Sequence, residues 1–348
     1  MTNSTVSQRS SNMELLRLIA IVLIMIGHII MMFQQPSVEY SRLFPINSFT
    51  RFFWNGLSVV AVDVFILISG WFGIHFKMKR LLEFIFQAIF FSIFVFIVLV
   101  LFDKEKFLTI YNVGIVFMLH PWDYWFVKAY LGLYIFAPIL NKFIENVSEK
   151  QLRTVLILFY LFQTIYGWMS IQGALWFEGG FSAVSFFGLY LLARYIKLYG
   201  HKFTSHESYF YILCYITISL ILALLAFIVT VLSFPVSGRL FTYTNPFVIL
   251  SALSLVIGFS KLKFQSIIIN KLAVFCFAIY LLHAHEMVLR IIYGAYAQKW
   301  YLTEKTFIFL LYIGLMIVAF IFGAILIDKI RIKVWRIFSN RLSLTEQL

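Results

Sequence analysis

The 348-residue sequence predicts an all-α integral membrane protein, a polytopic bundle of about ten transmembrane helices with both termini cytoplasmic. Three observations carry that prediction. Hydrophobic residues make up 62% of the chain and charged residues 12%, which is more apolar surface than one water-soluble core can hide. Apolar runs long enough to cross roughly 30 Å of hydrocarbon recur along the whole chain rather than at one end. Lysine and arginine gather on alternate connections between those runs.

The runs fall near residues 15–33, 55–74, 81–102, 124–141, 152–168, 181–199, 209–234, 243–259, 272–290 and 306–327. The first has the length of a secretory signal, but the residues at its end, "MMFQQPSVEY", offer no small-x-small cleavage site, so it is expected to stay as a span. The stretch "FLTIYNVGIVFML", Phe107 to Leu119, is too short to cross and reads as interfacial or re-entrant. The largest outer loop is expected at Gln34 to Trp54. No linker, soluble domain or internal repeat interrupts the pattern. A single membrane domain over residues 1–348 is expected, with short cytoplasmic tails at about 1–12 and 329–348.

Orientation follows from the basic residues. Lys77, Lys79 and Arg80, then Lys142, Lys150 and Arg153, then Arg194, Lys197 and Lys202, then Lys261, Lys263 and Lys271, and finally Lys329, Arg331, Lys333, Arg336 and Arg341 fall on one side. That side is expected to be cytoplasmic. Opposite connections hold fewer, among them Arg42, Arg51, Arg239 and Lys299, and "SIQGALWFEGG" holds none. The net charge of +13 is thereby explained by topology, and no basic and aromatic nucleic-acid signature accompanies it. Cys214 and Cys276 stand alone in apolar runs, without metal-ligand spacing, and read as small buried hydrophobes. No metal site is expected.

The first run holds two residues that hydrocarbon does not welcome, Arg17 and His28. Ser11 is placed to cap this helix, with Glu14 three residues on to close a capping box. Eleven residues on a helix amount to three turns plus about 20°, so the two side chains share a face, about 16 Å apart along the axis. Arg17 then lies near the cytoplasmic boundary, where a snorkelling anchor paired with Glu14 is the plain reading, and His28 lies beyond mid-depth. Counting inward from about Asn55, Asp63 in "SVVAVDVFILISGWF" reaches the level of His28, and His283 and His285 in "FAIYLLHAHEMVLR" reach a comparable height. A carboxylate that orients an imidazole is a recurring catalytic arrangement; interhelical hydrogen bonds are the structural reading of the same residues. Ser69 and Gly70 in "LISGWF" allow close approach of a helix or a ligand. In "DYWFVKAYLGLYIFAPILN", Tyr124 and Trp125 suit an aromatic belt or a sugar-stacking rim, Lys128 suits snorkelling to the outer surface, and Pro138 is expected to kink the helix.

Taken together, "SNMELLRLIAIVLIMIGH", "VDVFILISGWF", "YWFVKAYLGLYIFAPILN" and "IYLLHAHE" resemble the membrane acyltransferase-3 family of bacterial acyl-CoA-dependent O-acyltransferases, and the resemblance spans all ten expected helices. It implies transfer of an acetyl or other short acyl group from cytoplasmic acyl-CoA to a hydroxyl of a cell-surface glycan or its lipid-linked precursor, in the bacterial cytoplasmic membrane. It makes His28 and Arg17 the essential pair and places Asp63, Ser69 and His283 in motifs that recur in relatives. Gly27 stands where many relatives have a second histidine, and Lys128 where a small or polar residue is more usual.

On that basis His28, Arg17 and Asp63 are the expected catalytic residues, with imidazole serving as base or nucleophile. Arg17 and Ser69 are expected to contact the donor, acetyl-CoA, through its phosphates in the case of Arg17. Trp125, Lys128, His283 and His285 are expected to bind or support the acceptor. The competing reading is a transporter or flippase for a lipid-linked sugar or other amphiphile, for which ten helices and midplane charges would also serve. The absence of an evident inverted repeat weighs against it. A catalytically silent scaffold is a third reading.

Overall fold

In a computed structural model, residues 9–33, 35–170, 176–234 and 236–342 are described, and among them there is no strand. The helices are α1 (Ser11–Met32), α2 (Val38–Leu43), α3 (Pro45–Val59), α4 (Ala61–Phe72), α5 (Met78–Phe102), α6 (Lys104–Phe107), α7 (Ile110–Val116), α8 (Trp125–Asn146) and α9 (Glu149–Phe162). After α9 come a π-helix at Gln163–Met169, α10 (Ala183–Tyr199), α11 (Ser208–Val231), a short turn at Ser237–Phe241 and α12 (Pro246–Ser260). The last are α13 (Ile267–Ala273), α14 (Cys276–His283), α15 (Glu286–Val288), a second π-helix at Leu289–Ala297, α16 (Gln298–Thr303) and α17 (Thr306–Leu342).

Helix occupies all ten stretches expected from the sequence. Among the described residues eight helices have the length and apolar character to cross a membrane, or nine if one bent pair is a single span. At the remaining stretch, α10 is 17 residues long, about 25 Å at 1.5 Å per residue.

Four expectations are corrected. The outer loop expected at Gln34 to Trp54 is largely helical; Gln34 itself lies outside the described residues. The Ser37 hydroxyl caps α2 by accepting from the Tyr40 N–H at 3.0 Å, and Pro45 opens α3 at a position where no backbone donor is needed. The second span therefore starts at Pro45, ten residues before the expected Asn55. The ninth span is broken, with Ile267–His283 and Glu286–Thr303 meeting at a bend of 66°. Finally, the tail expected from 329 continues as helix to Leu342. In the connection "SIQGALWFEGG", residues 171–175 lie outside the described set.

The chain divides into two compact units. The first comprises residues through His75 together with Gly132–Val274, and the second Phe76–Leu131 and Phe275 onward. In the first unit α1 packs on α3, α4 and α12, α11 on α3 and α12, and α10 on α4. Small residues set these distances. A Cβ at Gly70 would lie 2.6 Å from the Tyr190 carbonyl oxygen, and one at Gly56 2.8 Å from that of Ser219. Gly70 in "LISGWF" is thus a close-packing residue. Gly73, at φ +80°, ends α4 with its N–H on the Ser69 and Gly70 carbonyls, a conformation that favours glycine.

The second unit gathers α5, α14 and α17. Its buried charges are paired. Asp328, fully buried, accepts from Gln87 Nε2 at 2.9 Å and from Arg331 Nε at 2.8 Å and Nη2 at 3.0 Å, while Arg331 Nη1 reaches Glu83 at 2.9 Å. Arg331, counted with the cytoplasmic loop charges in the sequence, is 5% exposed.

Candidate functional site

The first unit holds Arg17, His28, Asp63 and Ser69. Helix α1 runs without interruption from Ser11 to Met32, so the three turns between Arg17 and His28 are all α-helical and the two side chains fall on one stripe. Its start differs from the expected capping box. Ser11 is inside the helix and fully buried, and Ser10 precedes it without a side-chain cap. The Ser11 hydroxyl is turned to another segment, 2.9 Å from both Gln265 Oε1 and Asn270 Oδ1, and accepts from the Ser266 N–H at 2.9 Å. Asn12 Nδ2 donates to the Phe259 carbonyl at 2.9 Å. These bonds staple the start of α1 to the α12–α13 connection.

Glu14, free of any capping duty, takes Arg17. Arg17 Nη1 lies 2.9 Å from Glu14 Oε1 and 3.0 Å from Oε2, with Arg9 at 3.7 Å from Oε1. The carboxylate is buried and the guanidinium 30% exposed. Only Nη1 makes these contacts, and among the described residues Nε and Nη2 have no side-chain acceptor.

His28 is half-buried with Nδ1 shielded from solvent. Its helix meets α3 at Gly27, where an added Cβ would lie 3.4 Å from Ser58 Oγ. That contact fixes the register of the two antiparallel helices and moves Asp63 from its expected level. From Ser58, Asp63 lies five residues toward the end of α4, while His28 lies one residue beyond Gly27 in the opposite sense. At 1.5 Å per residue the two levels differ by about 9 Å. Neither Asp63 oxygen has a hydrogen-bond partner among the described residues, so no carboxylate–imidazole dyad forms. The expectation failed because the span begins earlier than the apolar count implied, at Pro45. Ser69 donates back to the Phe65 carbonyl at 3.0 Å, a bond within its own helix.

Sequence reasoning passed over Asn141 and Tyr190. The Tyr190 hydroxyl donates to Asn141 Oδ1 at 2.6 Å and accepts from the Ile74 N–H at 3.0 Å, while Asn141 Nδ2 donates to the Ile74 carbonyl at 2.8 Å. Together they hold the turn after α4. The asparagine at the end of "YIFAPILN", an amide on an otherwise apolar helix, was the available signal.

In the second unit the remaining candidates have structural partners. His285 begins the helix after the break: its Nδ1 accepts from the Met287 N–H at 3.3 Å, so a neutral ring carries its proton on Nε2, 3.1 Å from Ser92 Oγ. Both ring nitrogens are thus engaged. His283 Nδ1 donates to the Ile279 carbonyl at 2.7 Å, and Tyr124, buried rather than in a belt, donates its hydroxyl to the Leu281 carbonyl. These bonds satisfy carbonyls beside the bend. Lys128 donates to the His120 and Pro121 carbonyls at 2.6 and 2.9 Å and so braces the loop before α8 instead of reaching outward. Burial pushes the Asp123 carboxyl in that loop above its usual range, opposed by the His120 N–H that it accepts at 3.2 Å. Trp125 packs edge-on against Phe126. Among the described residues there is no cluster of three or more metal-ligating side chains.

The model of the acyltransferase-3 family, described as an acyltransferase domain, matches residues 10–329. No curated protein and no solved structure matches the chain.

Proposed function

The chain belongs to the acyltransferase-3 family of membrane acyltransferases, and from that premise we propose that it moves an acetyl group from acetyl-CoA to a hydroxyl of a cell-surface glycan or its lipid-linked precursor, with His28 at the reacting centre. The observation that supports this reading most is the unbroken α1, which carries a guanidinium and an imidazole on one stripe about 16 Å apart. That span separates a phosphate contact from an acyl contact along an extended donor. Arg17 offers its unengaged Nε and Nη2 to the phosphates of CoA.

His28 then takes the proton of the acceptor hydroxyl as the oxygen attacks the thioester carbonyl. Collapse of the tetrahedral adduct breaks the carbon–sulfur bond, and the imidazolium returns its proton to the leaving thiolate. The products are an acetate ester and free CoA. Partial burial of the ring, with Nδ1 out of contact with water, limits hydrolysis of the thioester. Asp63, about 9 Å away in level, takes no part in orienting His28. The distribution of Lys and Arg favours an orientation with both ends of the chain on the cytoplasmic side, and the family relationship favours the cytoplasmic membrane of a bacterium.

The test is His28→Ala in the intact protein. Acetyl signals in NMR spectra of the glycan should vanish while the protein still inserts, and purified protein should release thiol from acetyl-CoA only when acceptor is present. Retained acetylation would reject the role of His28. Export of a labelled lipid-linked sugar without thiol release would favour the transporter, whose usual pattern is two broken helices in corresponding halves; one bent pair occurs among the described residues.

A further inference from the structure

Six buried side-chain oxygens in the first unit have no hydrogen-bond partner among the described residues: the Ser41 and Ser48 hydroxyls, and four that fall on Asp63, Tyr160 and Gln163. Asp63 is fully buried with both carboxyl oxygens unbonded, Gln163 is 2% exposed with Oε1 unbonded, and the Tyr160 hydroxyl is shielded from solvent and unbonded. They belong together. Tyr160 and Gln163 stand three residues apart, on neighbouring positions of one helical face, where α9 gives way to the π-helix. The Asp63 carboxyl lies within electrostatic reach of the Tyr160 hydroxyl and of the Tyr243 hydroxyl. A π-helical turn is uncommon and occurs frequently at functional sites.

The chemistry of the set is one-sided. The Gln163 amide oxygen only accepts, the Asp63 carboxyl accepts on at least one oxygen, and the Tyr160 hydroxyl both accepts and donates, so acceptors outnumber donors. Leaving such atoms dry is costly, and native interiors seldom do so. The partner they call for is therefore rich in donors. Tyr160 also forms part of the wall of an apolar groove of about 600 Å³ between α9, α10, α11 and α12, a space of the size that takes small molecules, and Asp63 and Gln163 lie behind that wall rather than on it. Hydroxyl donors on one edge and apolar C–H on the face describe a pyranose ring.

We propose that Asp63, Tyr160 and Gln163 form a binding site for a sugar ring of the acceptor, an inference that rests on the acetyl-transfer reading above. The level of Asp63 is about 9 Å from that of His28, so the ring held here and the hydroxyl that reacts belong to different parts of one acceptor. Recognition thus favours an oligosaccharide over a single sugar.

The experiment uses the full chain in nanodiscs without acyl-CoA. Saturation-transfer NMR is recorded with the methyl glycosides of glucose, galactose, rhamnose and N-acetylglucosamine, alongside ²³Na relaxation. At least one glycoside should receive saturation, and the signal should fall fivefold or more in Gln163→Leu and Tyr160→Phe. The melting temperatures of both variants should stay unchanged or rise, because no protein hydrogen bond is removed. No glycoside signal in the parent protein overturns the proposal, as does a sodium response that the variants abolish in place of a glycoside response. Variants that melt several degrees lower overturn it too, since the groups would then be structurally bonded. Thiol release, read on the same preparation once acetyl-CoA and acceptor are added, separates the two readings: its absence in the parent protein with glycoside binding intact rejects acetyl transfer and leaves the sugar site standing.

Discussion

Gly27 on α1 and Ser58 on α3 meet so closely that a methyl group at Gly27 would touch the serine hydroxyl at 3.4 Å. Ser58 cannot turn away at no cost, since its hydroxyl donates to the Trp54 carbonyl at 2.8 Å. Gly27→Ala should accordingly be tolerated. Gly27→Leu should force α1 and α3 apart at a cost of about 1–3 kcal/mol, read as a lower melting temperature in detergent. Equal melting of the two variants would show that this contact does not set the helix register.

Arg17→Ala should raise the KM for acetyl-CoA by about ten- to one-hundred-fold, the range for loss of a hydrogen bond to a charged group worth about 1.5–3 kcal/mol. The kcat should change less. Arg17→Lys should recover only part of the loss, because an ammonium ion lacks the planar fork. Initial-rate measurements of thiol release decide between these outcomes, and an unchanged KM would remove Arg17 from the donor site.

Tyr190→Phe should strand Asn141 Oδ1 and the Ile74 N–H in a buried setting. Loss of those bonds should cost about 1–3 kcal/mol. Hydrogen exchange should show faster opening of the turn at Ile74 than in the parent protein.

Arg331→Ala should be the most damaging of these changes. It leaves Asp328, fully buried, with a single donor from Gln87, and breaking a buried ion pair costs about 3–5 kcal/mol. Arg331→Ala combined with Asp328→Asn should recover part of the loss, which a melting series would register.

The helices were legible because a span needs little beyond an unbroken apolar run, and all ten stretches became helix. What the runs could not convey was where polar and aromatic residues extend or interrupt a helix. "PINSFTRFFWN" reads as an outer loop by hydropathy, yet Pro45 at its head and the burial of Phe52 make it the first part of a span. The resulting shift of ten residues displaced Asp63 from the level of His28. Periodicity placed Arg17 and His28 on one stripe because both lie on a single continuous helix, where counting suffices. The bonds made by His285, Lys128 and Tyr124 were not legible for a different reason. Their partners are backbone carbonyls and N–H groups freed by a helix break and a loop, and such partners leave no mark in the pattern of side chains.

Helix α17 runs for 37 residues, about 55 Å, against roughly 30 Å of hydrocarbon. Its surplus of several turns, anchored at Asp328 and Arg331, makes a stiff mast to which a helical fiducial protein can be spliced in phase after Arg336. Particles carrying such a marker should align on it in electron cryomicroscopy, which offers a direct route to images of the enzyme with its two substrates.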